Sequence, residues 1–427
     1  MNYSTGFAAI CAALALAGVA SAAEIKAVRA GVLIDPVSGK ALKDQVILIE
    51  EGRVAAVGPA AAIVPPPGAE TLDLSGHWVL PGLIDAHVHL TNDGETHGYG
   101  RLEYGVADAT ATAVAMGLKT LDAGFTTVRN LGDRQYATVA VDRAIERGLL
   151  TGPRIVSAGE SFGATGGHCD DNLLPIDYKA VSSAGADGPW ALRARVREAH
   201  KYGAEVIKIC ATGGVLSKGT TVGGQQLTEE EMSALVQEAK LLGLKVAAHA
   251  HGTEGIKAAL RAGVSSIEHA SLADEEAFRL AKASGAVFVM DVYVSDYILA
   301  EGARVGILPE SLEKERQVGR AQRETFQRAL KAGVPLAFGT DAGVYPHGLN
   351  ARQFAFMVEW GMSPMQAIQA ATVNGARLLG LEGKVGALAP GAYADFIAAA
   401  RDPLADIRAL ESVPVVVKGG ELVKDAR

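Results

Sequence analysis

His87 and His89 follow an apolar run, Val79-Leu80-Pro81-Gly82-Leu83-Ile84, and are separated by one residue. Alternate residues of a strand share a face, so both imidazoles leave the chain in the same direction. Two imidazoles drawn out of water toward one point need a partner, and a divalent cation is the usual one. A bare H-x-H is a weak sign alone. Further along, Lys208 interrupts Val206-Ile207-Lys208-Ile209-Cys210, His249 and His251 interrupt Val246-Ala247-Ala248-His249-Ala250-His251, and His269 ends Ser266-Ile267-Glu268-His269. Asp341 follows Leu336-Ala337-Phe338-Gly339-Thr340. Burial lowers a lysine's pKa and favours its neutral amine. Such an amine takes up carbon dioxide to give a carbamate, an anionic two-oxygen bridge between metals. Any one of these residues has an ordinary structural explanation; the series, each at the end of an apolar run, points to a metal centre.

The elements that must position them read as strands alternating with helices. Eight candidate strands cover 83–90, 126–131, 154–158, 206–211, 245–251, 265–269, 287–292 and 336–339. A helical stretch over 228–242 opens with Thr228 and three glutamates, as an N-cap and acidic first turn do, and Gly243 closes it. Eight such units predict an α/β fold, a (β/α)8 TIM barrel, whose functional residues stand at the carboxyl ends of the strands. Outside it, short β patterns at 30–35, 45–50, 53–58 and 70–74, and again at 395–400 and 413–417, predict a small β-sandwich-like domain built jointly by both termini. The expected boundaries are a signal peptide at 1–22, β-domain segments at 23–80 and 385–427, and the barrel at 81–384. The long segment 163–189 has little regular pattern, and a loop of that length is usually functional or disordered.

A formal net charge of −8 argues against a phosphate-binding surface, and 5% aromatic residues against a stacking platform for bases, so nucleic acid is not an expected partner. Phe7 to Val19 is too short to span a bilayer, and Ala20-Ser21-Ala22 fits a cleavage site. Export to a periplasm or beyond the cell follows, with no membrane contact after cleavage. Cys11 leaves with the signal, and Cys169 and Cys210 are expected as free thiols, since a chain of 427 residues needs no bridge to hold its core.

The set Asp85-Ala86-His87-Val88-His89, Lys208, His249, Ile267-Glu268-His269 and Gly339-Thr340-Asp341 resembles the metal-dependent amidohydrolase superfamily. Ala248-His249-Ala250-His251-Gly252 through Ile267-Glu268-His269 is similar to its imidazolonepropionase-like branch, with prolidase-like dipeptidases and ochratoxin-hydrolysing enzymes. The likeness runs from about Ala30 to the C-terminus. It implies two divalent metal ions, zinc being the expected species. His87, His89 and Asp341 would hold one and His249 and His269 the other, with carboxylated Lys208 bridging. Spacing does not choose between His249 and His251; the family pattern favours His249.

What the resemblance implies chemically is metal-assisted hydrolysis of an amide, with Asp341 as the proton-transfer residue. The expected substrate is a small amide with a free carboxylate, a dipeptide or N-acyl amino acid, and ochratoxin A within that class. His168, in the long loop, is the candidate for binding the carboxylate; His251 and Tyr293 are further substrate-binding candidates, and His347 a weaker one. Arg129 reads as one half of an internal salt bridge. Rival readings are a dipeptidase for C-terminal Pro or charged residues, a lactonase or cyclic-amide hydrolase, and a non-catalytic exported binding or assembly protein. A homo-oligomer is expected from the same branch.

Overall fold

The computed structural model describes residues 26–178 and 184–427; the expected signal peptide lies outside the described residues. Four strands come first: β1 (Lys26–Asp35), β2 (Lys40–Glu50), β3 (Arg53–Pro59) and β4 (Glu70–Pro81). The barrel strands follow as β5 (Leu83–Val88), β6 (Phe125–Asn130), β7 (Arg154–Ser157), β8 (Ser161–Phe162), β9 (Val206–Cys210) and β10 (Lys245–Ala250). They continue as β11 (Ser266–His269), β12 (Val287–Val289) and β13 (Leu336–Ala337). The chain then returns to the first sheet with β14 (Phe396–Ala399), β15 (Val415–Lys418) and β16 (Glu421–Asp425).

Barrel pairing runs β5-β6-β7 and β8-β9-β10-β11-β12-β13, all parallel. The third barrel strand is split: β7 pairs with β6, and after three residues β8 pairs with β9. Backbone bonds close the ring between the first and last strands, from Ala86 N to Phe338 O (2.9 Å) and from Asp341 N to His87 O (2.8 Å). Strands buried on both faces explain why these segments are near-continuous apolar runs. The expected strands at 287–292 and 336–339 are shorter: pairing ends at Val289 and Ala337, and beyond these ends Asp291 and Asp341 line the mouth of the barrel.

Both termini supply one mixed sheet of seven strands, β16-β15-β14-β4-β1-β2-β3. Its apolar side packs Val28, Leu33, Ile47, Val54, Val79, Phe396 and Val415 into a core of its own. β4 continues beyond the expected 70–74 through Ser75-Gly76 to Pro81. The register shifts between Ala30 and Val32 on β1, where a Cβ on Gly31 would lie 2.0 Å from Ser75 O, so the strands meet only because Gly31 has no side chain. β4 then passes through Gly82 into β5, and the sheet is thereby joined rigidly to the strand that carries His87.

Candidate metal centre

The mouth of the barrel gathers His87 and His89 from the first strand, Lys208 from the fourth, His249 and His251 from the fifth, His269 from the sixth and Asp341 after the eighth. Among the described residues, three groups place possible ligand atoms within 4.8 Å of one another: His87, His89 and Asp341; His249, His251 and His269; and His269, Asp291 and Asp341. His89 Nε2 lies 3.2 Å and His87 Nε2 3.4 Å from Asp341 Oδ1. Lys208 Nζ is 3.4 Å from His87 Nε2. The ring centroids of His87 and His269 stand 5.1 Å apart and those of His249 and His269 4.6 Å, so the two histidine groups adjoin across His269.

Burial drives the pKa values of His87, His249 and His251 well below the ordinary imidazole range, and neighbouring cations add to the effect. Neutral imidazole is the form that binds metal. Burial also lowers Lys208, to about 8, against the upward pull of Glu268 and Asp341. His269 differs. Burial pulls it down, but the Asp291 carboxylate, 3.0 Å from Nδ1, outweighs this and raises it. Asp341 is lowered: burial raises it, and the imidazole of His89, 3.2 Å from Oδ1, together with His269 and the Lys208 charge, more than offsets that. His249 Nε2 and Asp341 Oδ1 are buried without a hydrogen-bond partner. A buried polar atom left unpaired costs about 1–3 kcal/mol, and orphaned atoms converging among neutral imidazoles fit a cation.

The supporting residues explain how the ligand types are held. Asp85 is fully buried and accepts from Thr340 Oγ1 (2.6 Å), Thr340 N (3.1 Å), Asn350 Nδ2 (2.8 Å) and His87 N (3.2 Å). It therefore ties the end of the first strand to the end of the eighth. Arg129 donates to Ala86 O (2.6 Å), Ser266 Oγ (3.0 Å) and Glu268 Oε1 (2.9 Å), the internal salt bridge its sequence position led us to expect. Glu268 Oε2 in turn lies 3.1 Å from His87 Nδ1, out of line for a hydrogen bond. Asp291 orients His269, and Gln322 Nε2 donates to Asp291 Oδ1 (2.6 Å). Asp291 and Glu268 were open to the rule that singled out Lys208, a charged residue inside an apolar run; Gln322, on a helix, carries no such mark.

Of the substrate candidates, His168 and His251 line the cavity over this cluster, about 550 Å³, and Tyr293 does not. Tyr293 is buried against Tyr345 and Phe356, and its hydroxyl accepts from Arg352. Aromatic packing behind the last strands, not substrate, accounts for its position. His347 is likewise internal, joined to Thr120 Oγ1 and His89 O. The His168 ring stacks on His249 at 4.0 Å, and its Nδ1 meets Ser217 Oγ at 2.8 Å. Burial pulls its pKa to about 3, so it offers hydrogen bonds but no charge. A Cβ on Gly214 would lie 2.3 Å from this ring, which makes that glycine obligatory.

Cys169 and Cys210 are not free thiols. They form a disulfide with a Cα–Cα distance of 5.7 Å. The core does not need the bridge; its effect is local. It fastens the residue next to His168 to a strand residue two positions beyond Lys208, and so anchors an otherwise irregular loop over the cavity.

A barrel with this mouth and this flanking sheet defines a metal-site hydrolase class, and the chain belongs to the amidohydrolase family, whose model matches residues 78–423. It is 35% identical to the ochratoxinase of Aspergillus niger over 94% of this chain and 87% of that protein. The solved structure of that ochratoxinase superposes with a TM-score of 0.83, 32% identity and coverage of 94% and 96%. A crystal structure of an Xaa-Pro dipeptidase with bound methionine in the active site gives 0.88, at 38% identity, covering 94% of this chain and all of that one. An imidazolonepropionase from Rhizorhabdus wittichii is 26% identical over 83% of this chain and 87% of its own length.

Proposed function

We propose that this protein is an exported, binuclear zinc-dependent amide hydrolase that releases a C-terminal amino acid from N-acyl amino acids or dipeptides, ochratoxin A among them. The observation that carries this reading is the adjacency of two ligand groups, His87/His89/Asp341 and His249/His251/His269, around the buried Lys208. In it His87, His89 and Asp341 would hold one cation and His249 and His269 the other, with Lys208, once carboxylated, as a shared anionic ligand. The Nε2 of His249, buried without a hydrogen-bond partner, supports its place in the set. Bound there, two cations would polarise the scissile carbonyl and make water acidic near neutral pH.

The chain's own residues do the rest. Asp341 Oδ1 faces the cluster without a hydrogen bond, so it is free to accept a proton from the attacking water and return it to the leaving amine. Its lowered pKa keeps it ionised in the resting state. Asp291 fixes the ring of His269, Glu268 sets its negative charge beside the His87 ring, and His168 and His251 offer neutral hydrogen bonds to the amide. The cavity suits a ligand of drug size. Export is supported by the disulfide, which persists in oxidising compartments, and self-association in a homo-oligomer remains part of the reading.

A dipeptidase preference is the second reading, supported by the likeness to the Xaa-Pro dipeptidase structure. The test is a panel of ochratoxin A, N-acyl-phenylalanines and Xaa-Pro dipeptides, with released amino acid quantified for zinc-loaded, chelated and Asp341→Asn protein. We expect turnover that chelation abolishes, zinc restores and Asp341→Asn lowers by at least 1,000-fold, about 4 kcal/mol of barrier. Fully metallated protein that cleaves no member overturns the proposal.

A further inference from the structure

The proposed substrate carries a free carboxylate, and the cavity wall must supply its counter-charge. Among the described residues, four lysine and arginine side chains line that wall: Arg101, Arg134, Lys208 and Lys218. Lys208 lies at the floor, inside the ligand cluster. Arg134 is exposed and donates to Tyr104 O (3.0 Å). Lys218 donates to the Tyr99 hydroxyl (2.8 Å) at the rim.

Arg101 stands apart. It lies on the short turn Gly98–Glu103, between β5 and the first barrel helix, and borders both the main cavity and a side cavity of about 40 Å³. One of its five N–H donors is placed, on Asn92 Oδ1 at 2.9 Å. Among the described residues no carboxylate comes within 4.0 Å of its guanidinium. The acids around it are Asp93 and Asp171, and Arg134 adds like charge. The Asp93 carboxylate is already committed to Glu95 N, Thr96 N and Thr96 Oγ1, at 2.8, 2.9 and 3.0 Å. A half-buried guanidinium that Asp93 and Asp171 reach only through space has no contact ion pair, and removing it from water is repaid only by an anion in good geometry. A carboxylate is the anion that matches its two-pronged donor face.

We infer that Arg101 receives the free carboxylate of the substrate, and that His168, the residue expected for this task, serves the neutral part of the molecule. Asn92 acts as a positioning residue, holding one Nη while the remaining donors face the cavity. The inference rests on the hydrolase reading and extends it to what selects the substrate. It also implies that esters and carboxamides of good substrates are poor ligands.

The test is calorimetric binding of N-acetyl-L-phenylalanine and of its neutral carboxamide to zinc-loaded Asp341→Asn protein, alone and combined with Arg101→Gln, Arg101→Lys or Arg134→Gln. We expect Arg101→Gln to weaken the acid about 10- to 100-fold, so that preference for acid over carboxamide collapses. Arg101→Lys should recover part of that preference, and Arg134→Gln should change it less than threefold. An unaltered acid-to-carboxamide ratio in Arg101→Gln overturns the inference. Should that variant fail to fold, Arg101→Lys decides, since full acid preference there means that the two-pronged contact does not exist. Turnover of the substrate panel by wild-type enzyme is scored separately: its complete absence refutes the hydrolase reading, whereas turnover with an unaltered ratio refutes only the role of Arg101.

Discussion

Substituting Glu268 by Gln is expected to damage stability and metal affinity together, by amounts the geometry sets. Glu268 is fully buried and Arg129 is 2% exposed; their atoms meet at 2.9 Å, with Ser266 Oγ 2.5 Å from the same carboxylate oxygen. Gln keeps an oxygen for Ser266 and nearly the same volume, so packing is spared and charge is what changes. Arg129 is then a buried cation without a counter-ion, and breaking such a pair from one side costs about 3–5 kcal/mol. The other carboxylate oxygen stands 3.1 Å from His87 Nδ1, and loss of an outer-shell anion beside a ligand typically lowers metal affinity about 10- to 100-fold. Denaturant unfolding of metal-free protein measures the first effect, and competition with a zinc chelator measures the second. Arg129→Met is the companion. It should cost a similar amount of stability, yet leave the anion beside His87 and so keep zinc affinity closer to wild type. Their double variant should recover at least about 2 kcal/mol relative to the summed single effects, the mark of a coupled pair. If Glu268→Gln unfolds within about 1 kcal/mol of wild type and binds zinc unchanged, the Arg129–Glu268–His87 chain does not hold the site, and the reasoning fails.

The Cys169–Cys210 bridge encloses a sequence separation of 41 residues, for which chain entropy predicts at most about 4 kcal/mol of stabilisation. The Cys169→Ser/Cys210→Ser double variant should unfold at lower denaturant and be cut faster by protease within 163–178, with zinc stoichiometry unchanged because neither sulfur belongs to a ligand group; equal cleavage rates would show that this segment is held without it. Beside the start of β7, burial raises Asp142 to about 6, with Glu146 adding to this, against the lowering effect of the hydrogen bond that Asp142 accepts from Ile155 N. Its folded pKa exceeds its unfolded one, so its contribution is complete below about pH 4 and is lost as pH rises through about 6. Asp142→Asn should accordingly raise the melting temperature at pH 8, by an amount equivalent to at most about 2–3 kcal/mol, with no gain at pH 4; a gain of equal size at both pH values would refute the assignment.

The barrel was legible because burial on both faces leaves a strand few choices of residue, so a lysine or histidine inside one stands out. His87, Lys208, His249 and His269 announce themselves in this way, and the structure brings them together. Positions on helices and loops carry no comparable contrast. Gln322 looks like any polar helix residue, yet it faces inward and holds Asp291. Tyr293 was misplaced because strand order says which residue leaves a strand, not whether an aromatic ring turns toward the cavity or into the packing behind it. The disulfide was missed for a related reason: the argument that a large core needs no bridge concerns global stability, whereas this bridge fixes one loop.

Two of the ligand-type residues break a local rule that no periodicity detects. His269 and Asp341 have φ of 69° and 57°, and Ala270 beside them 50°, in the left-handed region that non-glycine residues enter at a cost of about 1–3 kcal/mol. Both stand where the chain leaves a barrel strand. An extended continuation would send the next side chain along the wall, whereas a left-handed residue turns the backbone at once while its own side chain still points to the centre. Neighbouring bonds hold each in place: Asp341 N donates to His87 O at 2.8 Å, and Ala270 N to Ala250 O at 3.1 Å. The strain at one ligand is thus carried by the strand that bears another, so the side chains of the cluster are positioned as a set. Straightening either residue by substitution elsewhere would move two ligands, not one.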